Sequence, residues 1–131
     1  MDKILKDALI REVGSAYKSL MSKSKSPQEY CEKEKRYYDS IIKLSRSLKV
    51  PRAQIWVNDK GDVANILNRT VVDDNYLFRI HKTLEKQYAK AILNLMDGNN
   101  TRRLRKKDWL EAQMNFVKDE ILRRHDELSK G

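Results

Sequence analysis

The sequence predicts a mainly α-helical chain, a four-helix bundle-like domain with a small β-hairpin inserted between the second and third helices. Three observations carry that prediction. Only 4 Gly and 2 Pro occur in 131 residues, too few for the many turns of a barrel or sandwich. Four long stretches repeat apolar residues at steps of three and four, the period of a helix with one covered face. One segment, about residues 52–70, lacks this period and is instead β-prone and rich in turn formers. The length suits a single domain, 1–131, and is enough to bury a core without metals or disulfides.

The first helix is expected from about Asp2 to Ser22. Leu5, Leu9, Val13, Ala16 and Leu20 form its inward stripe, with Lys3, Arg11 and Lys18 elsewhere. Gly14 weakens the middle of this helix and marks a place for close packing. Ser22-Lys23-Ser24-Lys25 reads as a polar linker, and Ser26-Pro27-Gln28-Glu29 as a helix start. Ser26 suits the cap, Pro27 the first helical position, and Glu29 the closing side of a capping box. The second helix then runs to about Leu48 over an inward stripe of Tyr30, Tyr37, Ile41, Leu44 and Leu48, with Lys35, Arg36, Lys43 and Arg46 opposite. Pro51 pushes Val50 out of helical geometry and ends the element.

Gln54–Val57 reads as a strand, Asn58-Asp59-Lys60-Gly61 as a turn, and Asp62–Leu67 as the returning strand. The alternative is an irregular loop with a helical turn at Val63 to Leu67. A lone hairpin is marginal in water, so it should lie against the helices. Asp73 or Asp74 caps the third helix, whose stripe is Leu77, Ile80, Leu84, Tyr88, Ala91 and Leu95. Arg79, Lys82, Lys86 and Lys90 lie nearly opposite that stripe. Asp97-Gly98-Asn99-Asn100 ends the helix, with Gly98 suited to a left-handed cap. The fourth helix should start after Thr101 and reach about Ser129. Leu110, Met114, Val117, Ile121 and Leu128 make a heptad-like seam that Arg124 interrupts and that Trp109 and Phe116 widen.

Function is read mainly from charge. With 28 Lys and Arg against 19 Asp and Glu, the net charge is +9 and the pI about 9.7, a balance that attracts polyanions. The densest run is Arg102, Arg103, Arg105, Lys106 and Lys107, placed in the first turns of the fourth helix. Cations there oppose the helix dipole, and an incoming phosphate would relieve that cost. Arg79, Lys82, Lys86 and Lys90 would extend a phosphate track without reading base sequence. Trp56, taken to lie near the hairpin tip, could stack on an unpaired base with Lys60 beside it. Among Tyr30, Tyr37 and Tyr38, Tyr38 is the one expected at the surface.

These residues predict a non-catalytic DNA- or RNA-binding protein of low sequence specificity. The competing expectation is a small adaptor or inhibitor, of the kind viruses and mobile elements encode, whose basic face docks on an acidic protein partner. A membrane-surface binder is a third, weakened because the apolar helix faces are needed for a core. The heptad seam also allows self-association through the last helix. No segment approaches the roughly 18 apolar residues of a spanning helix, and Met1 to Asp7 lacks a signal-peptide core. A single cysteine, Cys31, excludes an internal disulfide and fits an intracellular setting. One Cys and two His, His81 and His125, make no zinc set. There is no phosphate-cradling glycine loop and no nucleophile elbow. Turns and caps account for Asp59, Asp62, Asp73 and Asp74 without a metal. The chain is therefore expected to be neither an enzyme nor a cofactor protein.

Overall fold

The computed structural model describes residues 2–130. Its elements are α1 (Lys3–Met21), α2 (Pro27–Leu48), a 3₁₀ turn (Arg52–Gln54), β1 (Ile55–Val57), β2 (Val63–Asn65), α3 (Asp74–Asp97) and α4 (Thr101–Lys130). This is the mainly helical class that the apolar periodicity predicts, with the two-stranded antiparallel sheet between the second and third helices. Packing joins neighbours in sequence: α1 lies against α2, and α3 against α4. Two compact units result, one ending at Asn65 and the other beginning at Ile66.

In the first unit, the Asp2 carboxylate caps α1 by accepting from the Ile4 N–H at 3.0 Å. Val13, Ala16 and Leu20 are buried as predicted, but Leu5 is 51% exposed. It lies two turns before Val13, at the edge of the arc those residues define. The start of α2 is capped by Ser26, whose hydroxyl accepts from the Glu29 N–H at 3.1 Å. The capping box is displaced by one residue, because the Glu29 carboxylate takes the Lys25 N–H at 2.8 Å rather than that of Ser26. At the other end Lys49 adopts a left-handed conformation, φ 57°. Its N–H donates to the Arg46 carbonyl and the Val50 N–H donates to that of Ser45. That pair is a Schellman closure, so Lys49 stops the helix before Pro51 is reached.

The hairpin pairs Ile55 with Asn65, Trp56 with Ala64 and Val57 with Val63. Its returning strand is three residues long, shorter than the predicted six, and no helical turn replaces it. Asn58 organises the turn: its side-chain oxygen accepts from the N–H groups of Lys60 and Asp62, both at 2.9 Å. Gly61 sits at φ 84°, where a Cβ is strained. A Cβ on Gly14 would come within 2.9 Å of the Gly61 carbonyl oxygen. The close packing anticipated at Gly14 is therefore the hairpin turn seated on α1.

In the second unit Asp73 caps α3, accepting from the Tyr76 N–H at 2.8 Å. Leu77, Ile80, Leu84 and Ala91 are buried on α3, and Leu110 and Val117 on α4. Gly98 does not take the predicted left-handed position; its φ of 168° is extended. Instead the Arg103 guanidinium donates to the Asn94 and Gly98 carbonyls, both at 2.7 Å. A charged donor thus adds to the backbone cap, in which the Gly98 N–H donates to the Leu95 carbonyl at 3.3 Å. Asn100 caps α4 through the Arg103 N–H at 2.9 Å.

The buried face of α4 is more polar than a heptad seam, comprising Leu110, Gln113, Val117, Glu120 and Arg124. Leu128, placed on that seam by spacing, is 75% exposed. Arg124 does not break the packing. Its guanidinium donates to Glu120 at 2.9 Å, to the Val72 and Ile66 carbonyls at 2.8 and 3.3 Å, and to Asp74 at 3.1 Å. An arginine is tolerated there because its fork of donors finds acceptors on three segments of the unit.

Candidate nucleic-acid interface

The outward face of α3 keeps its charge. Arg79, Lys82, Lys86 and Lys90 are all exposed, and at 100° per residue they fall within one narrow stripe. The stripe runs about 16 Å along the helix, at roughly 1.5 Å per residue. Lys82, Lys86 and Lys90 make no hydrogen bond or ion pair among the described residues. The Arg79 guanidinium lies over the Tyr76 ring, 5.3 Å from its centroid, which holds it on the surface without neutralising it. The carboxylates of this helix are engaged or distant. Glu85 pairs with His81 at 2.8 Å and Asp74 with Arg124 at 3.1 Å, while Asp97 is the last residue of α3.

The basic run of α4 behaves differently. Successive residues fan around the helix, so five cations in six positions cannot share one face. Arg103 points back at the end of α3. Lys107 pairs with Asp108 at 2.9 Å and Glu111 at 3.4 Å; hydrogen bonding to Asp108 chiefly holds its ammonium above the ordinary lysine range. Arg102 and Lys106 have partners of their own. Arg105 alone of the five is exposed and makes no such contact among the described residues. The expectation that all five join the α3 stripe in one outward surface is corrected accordingly. So is the inference from misplaced charge. The three residues between α3 and α4 are few, so the start of α4 lies beside the end of α3, where the dipole is negative. Arg103 is well placed there without any phosphate.

The aromatic candidates also move. Trp56 is the middle residue of β1, opposite Ala64 and half-buried, rather than at the hairpin tip. Lys60 is exposed in the turn. Both belong to the first unit, whereas the α3 stripe is in the second. Tyr17, Tyr37 and Tyr38 form a tilted cluster with centroid separations of 5.7 and 5.5 Å. Burial raises the phenols of Tyr17 and Tyr37. Tyr38, expected at the surface, is half-buried against Tyr37.

No protein-family model, curated protein or solved structure matches this chain.

The remaining surface features are weaker sites. A depression of about 320 Å³ in the first unit is lined by Glu12, Glu32, Lys35, Arg36, Asp39, Ser40 and Lys43. Its charges alternate, and Arg36 is tied to Glu12 at 2.9 Å, so it offers no net attraction to an anion. Among the described residues no three His, Cys, Asp or Glu side chains gather as a metal site, and no helix is long and apolar enough to cross a membrane. Several exposed apolar residues are not singled out by the sequence reading, among them Leu93, Met96 and Phe78, the last 54% exposed. For Phe78 the available signal is its position off the Leu77–Ile80–Leu84 stripe, which puts it on the side of the cations.

Proposed function

We propose that the chain is a non-catalytic nucleic-acid-binding protein of low sequence specificity that holds phosphates along the outward face of α3. The supporting observation is the row of four exposed cations, Arg79, Lys82, Lys86 and Lys90, none of which forms an ion pair among the described residues. Arg105 is the member of the α4 run free to add to it. Trp56 and Lys60 are not needed for this reading. Four phosphate contacts on α3 and a fifth at Arg105 release about five counterions, so the logarithm of affinity for duplex should fall with a slope of roughly −4.5 against the logarithm of salt. Electrophoretic shifts across a salt series check this. Lys86→Glu with Lys90→Glu should flatten the slope by about two and weaken binding at least ten-fold at low salt. Undetectable binding of the wild-type chain to DNA and RNA at low salt would refute the reading.

A second reading is favoured by Leu93 and Met96, 60% and 78% exposed on the last turns of α3. Large apolar side chains beside a cationic stripe also suit an acidic protein partner. Recovery of a stoichiometric protein after nuclease treatment supports that alternative. Self-association through α4 has less to draw on, because Leu110 and Val117 are already buried; light scattering measures it directly.

A further inference from the structure

We infer that the α3 face prefers a single strand to a duplex, with Phe78 as the platform on which an unpaired base stacks. The inference rests on the nucleic-acid reading and deepens it. Phe78 is more than half exposed, although burying a phenyl ring is ordinarily worth about 1.5–3 kcal/mol. Its neighbours are specific. Arg79 follows it directly, and Lys82 lies one turn on, at the i+4 position whose side chain adjoins its own. Tyr76 holds the Arg79 guanidinium over its ring at 5.3 Å, which leaves Lys82 as the cation whose side chain adjoins the exposed phenyl. Lys86 and Lys90 continue the charge away from this end.

The arrangement matches the two chemistries of a single strand. Phosphates run along the lysines, and a free base face meets an aromatic ring in water. A duplex would use only the first, because its base faces are stacked internally. Leu93 and Met96, on the same side of α3 beyond Lys90, give a second apolar surface for a following base. The charge selects a polyanion, and the apolar residues interleaved with it select one whose apolar groups are accessible.

The test compares oligo-dT with a duplex of equal length, for the wild-type chain, Phe78→Ala and Phe78→Tyr. Because Phe78 lies outside the buried stripe, the Ala variant should fold, and circular dichroism checks that it does. The expected result is about a ten-fold loss of oligo-dT affinity in Phe78→Ala, recovery in Phe78→Tyr, and no change for duplex. The salt slope should stay the same, since no phosphate contact is removed. A Phe78→Trp variant supplies a direct signal: its added fluorescence, relative to the wild-type chain, should be quenched by oligo-dT and not by duplex. If Phe78→Ala weakens both ligands equally, or neither, while the wild-type chain binds with the stated salt slope, the single-strand inference fails and the phosphate-track reading survives. Absence of all nucleic-acid binding removes both.

Discussion

Lys49 occupies a backbone region that costs a residue with a Cβ about 1–2 kcal/mol. Glycine removes that strain but gives back some entropy in the unfolded chain. Lys49→Gly should therefore raise stability by about 0.5–1 kcal/mol, seen as a higher urea midpoint with an unchanged slope. Arg124 is the opposite kind of residue, one whose removal leaves others stranded. Glu120 is 2% exposed and ion-paired to it at 2.9 Å, and two backbone carbonyls depend on the same guanidinium. Arg124→Ala leaves Glu120 only the exposed Arg123 as a partner, at 2.6 Å, and should cost about 3 kcal/mol, whereas Arg124→Met with Glu120→Leu should cost less, because no buried carboxylate then loses a partner. Equal losses in denaturant titrations of the two variants would show that the Arg124 contacts themselves, rather than a carboxylate deprived of one partner, set the cost.

Helix ends and the contacts between elements account for the effects at the next scale. Backbone hydrogen bonding from Lys25 lowers the Glu29 carboxyl, and the Arg36 guanidinium lowers that of Glu12. A carboxyl lowered in the folded state stabilises it fully above the ordinary value of 4.5. That contribution fades as pH falls through the lowered value. Glu29→Gln should thus reduce Tm at neutral pH, and the difference from wild type should vanish in acid. Arg103 and Arg105 provide a matched pair. Arg103→Ala removes the donor to the Asn94 and Gly98 carbonyls and should cost about 1 kcal/mol of stability, while Arg105→Ala should leave Tm unchanged and reduce the salt slope of binding by about one. Gly14 belongs here too. A methyl group at this position would meet the Gly61 carbonyl at 2.9 Å, so Gly14→Ala should cost about 1–3 kcal/mol through forced separation of the hairpin turn and α1, despite the better helix propensity of alanine.

Over the whole chain, a net charge of +9 favours encounter with any polyanion. Contact through phosphates alone does not discriminate sequence. Oligonucleotides of one length and strandedness but scrambled sequence should bind within about three-fold of one another, as competition shifts would show. A strong preference for one sequence would require base-edge contacts, which the proposed phosphate track does not include.

Periodicity was enough to read four helices, the α3 stripes and the place of the hairpin. Those features depend on spacing along a local backbone, and spacing is written directly in the chain. The caps at Ser26 and Asp73 were legible for the same reason, since each acts within three residues. The Lys49 stop, the Arg103 cap, the Arg124 network and the dispersal of the α4 cations were not legible. The Lys49 stop is a backbone closure at a non-glycine residue, which residue type does not announce; the other three turn on where long, many-donor side chains find their acceptors, and for Arg103 and Arg124 those acceptors come from other elements brought near by folding. A run of like charges announces itself in sequence, but its direction is fixed by helical rotation and by neighbouring carbonyls and carboxylates. The candidate site accordingly contracted to the face whose cations no packed partner claims.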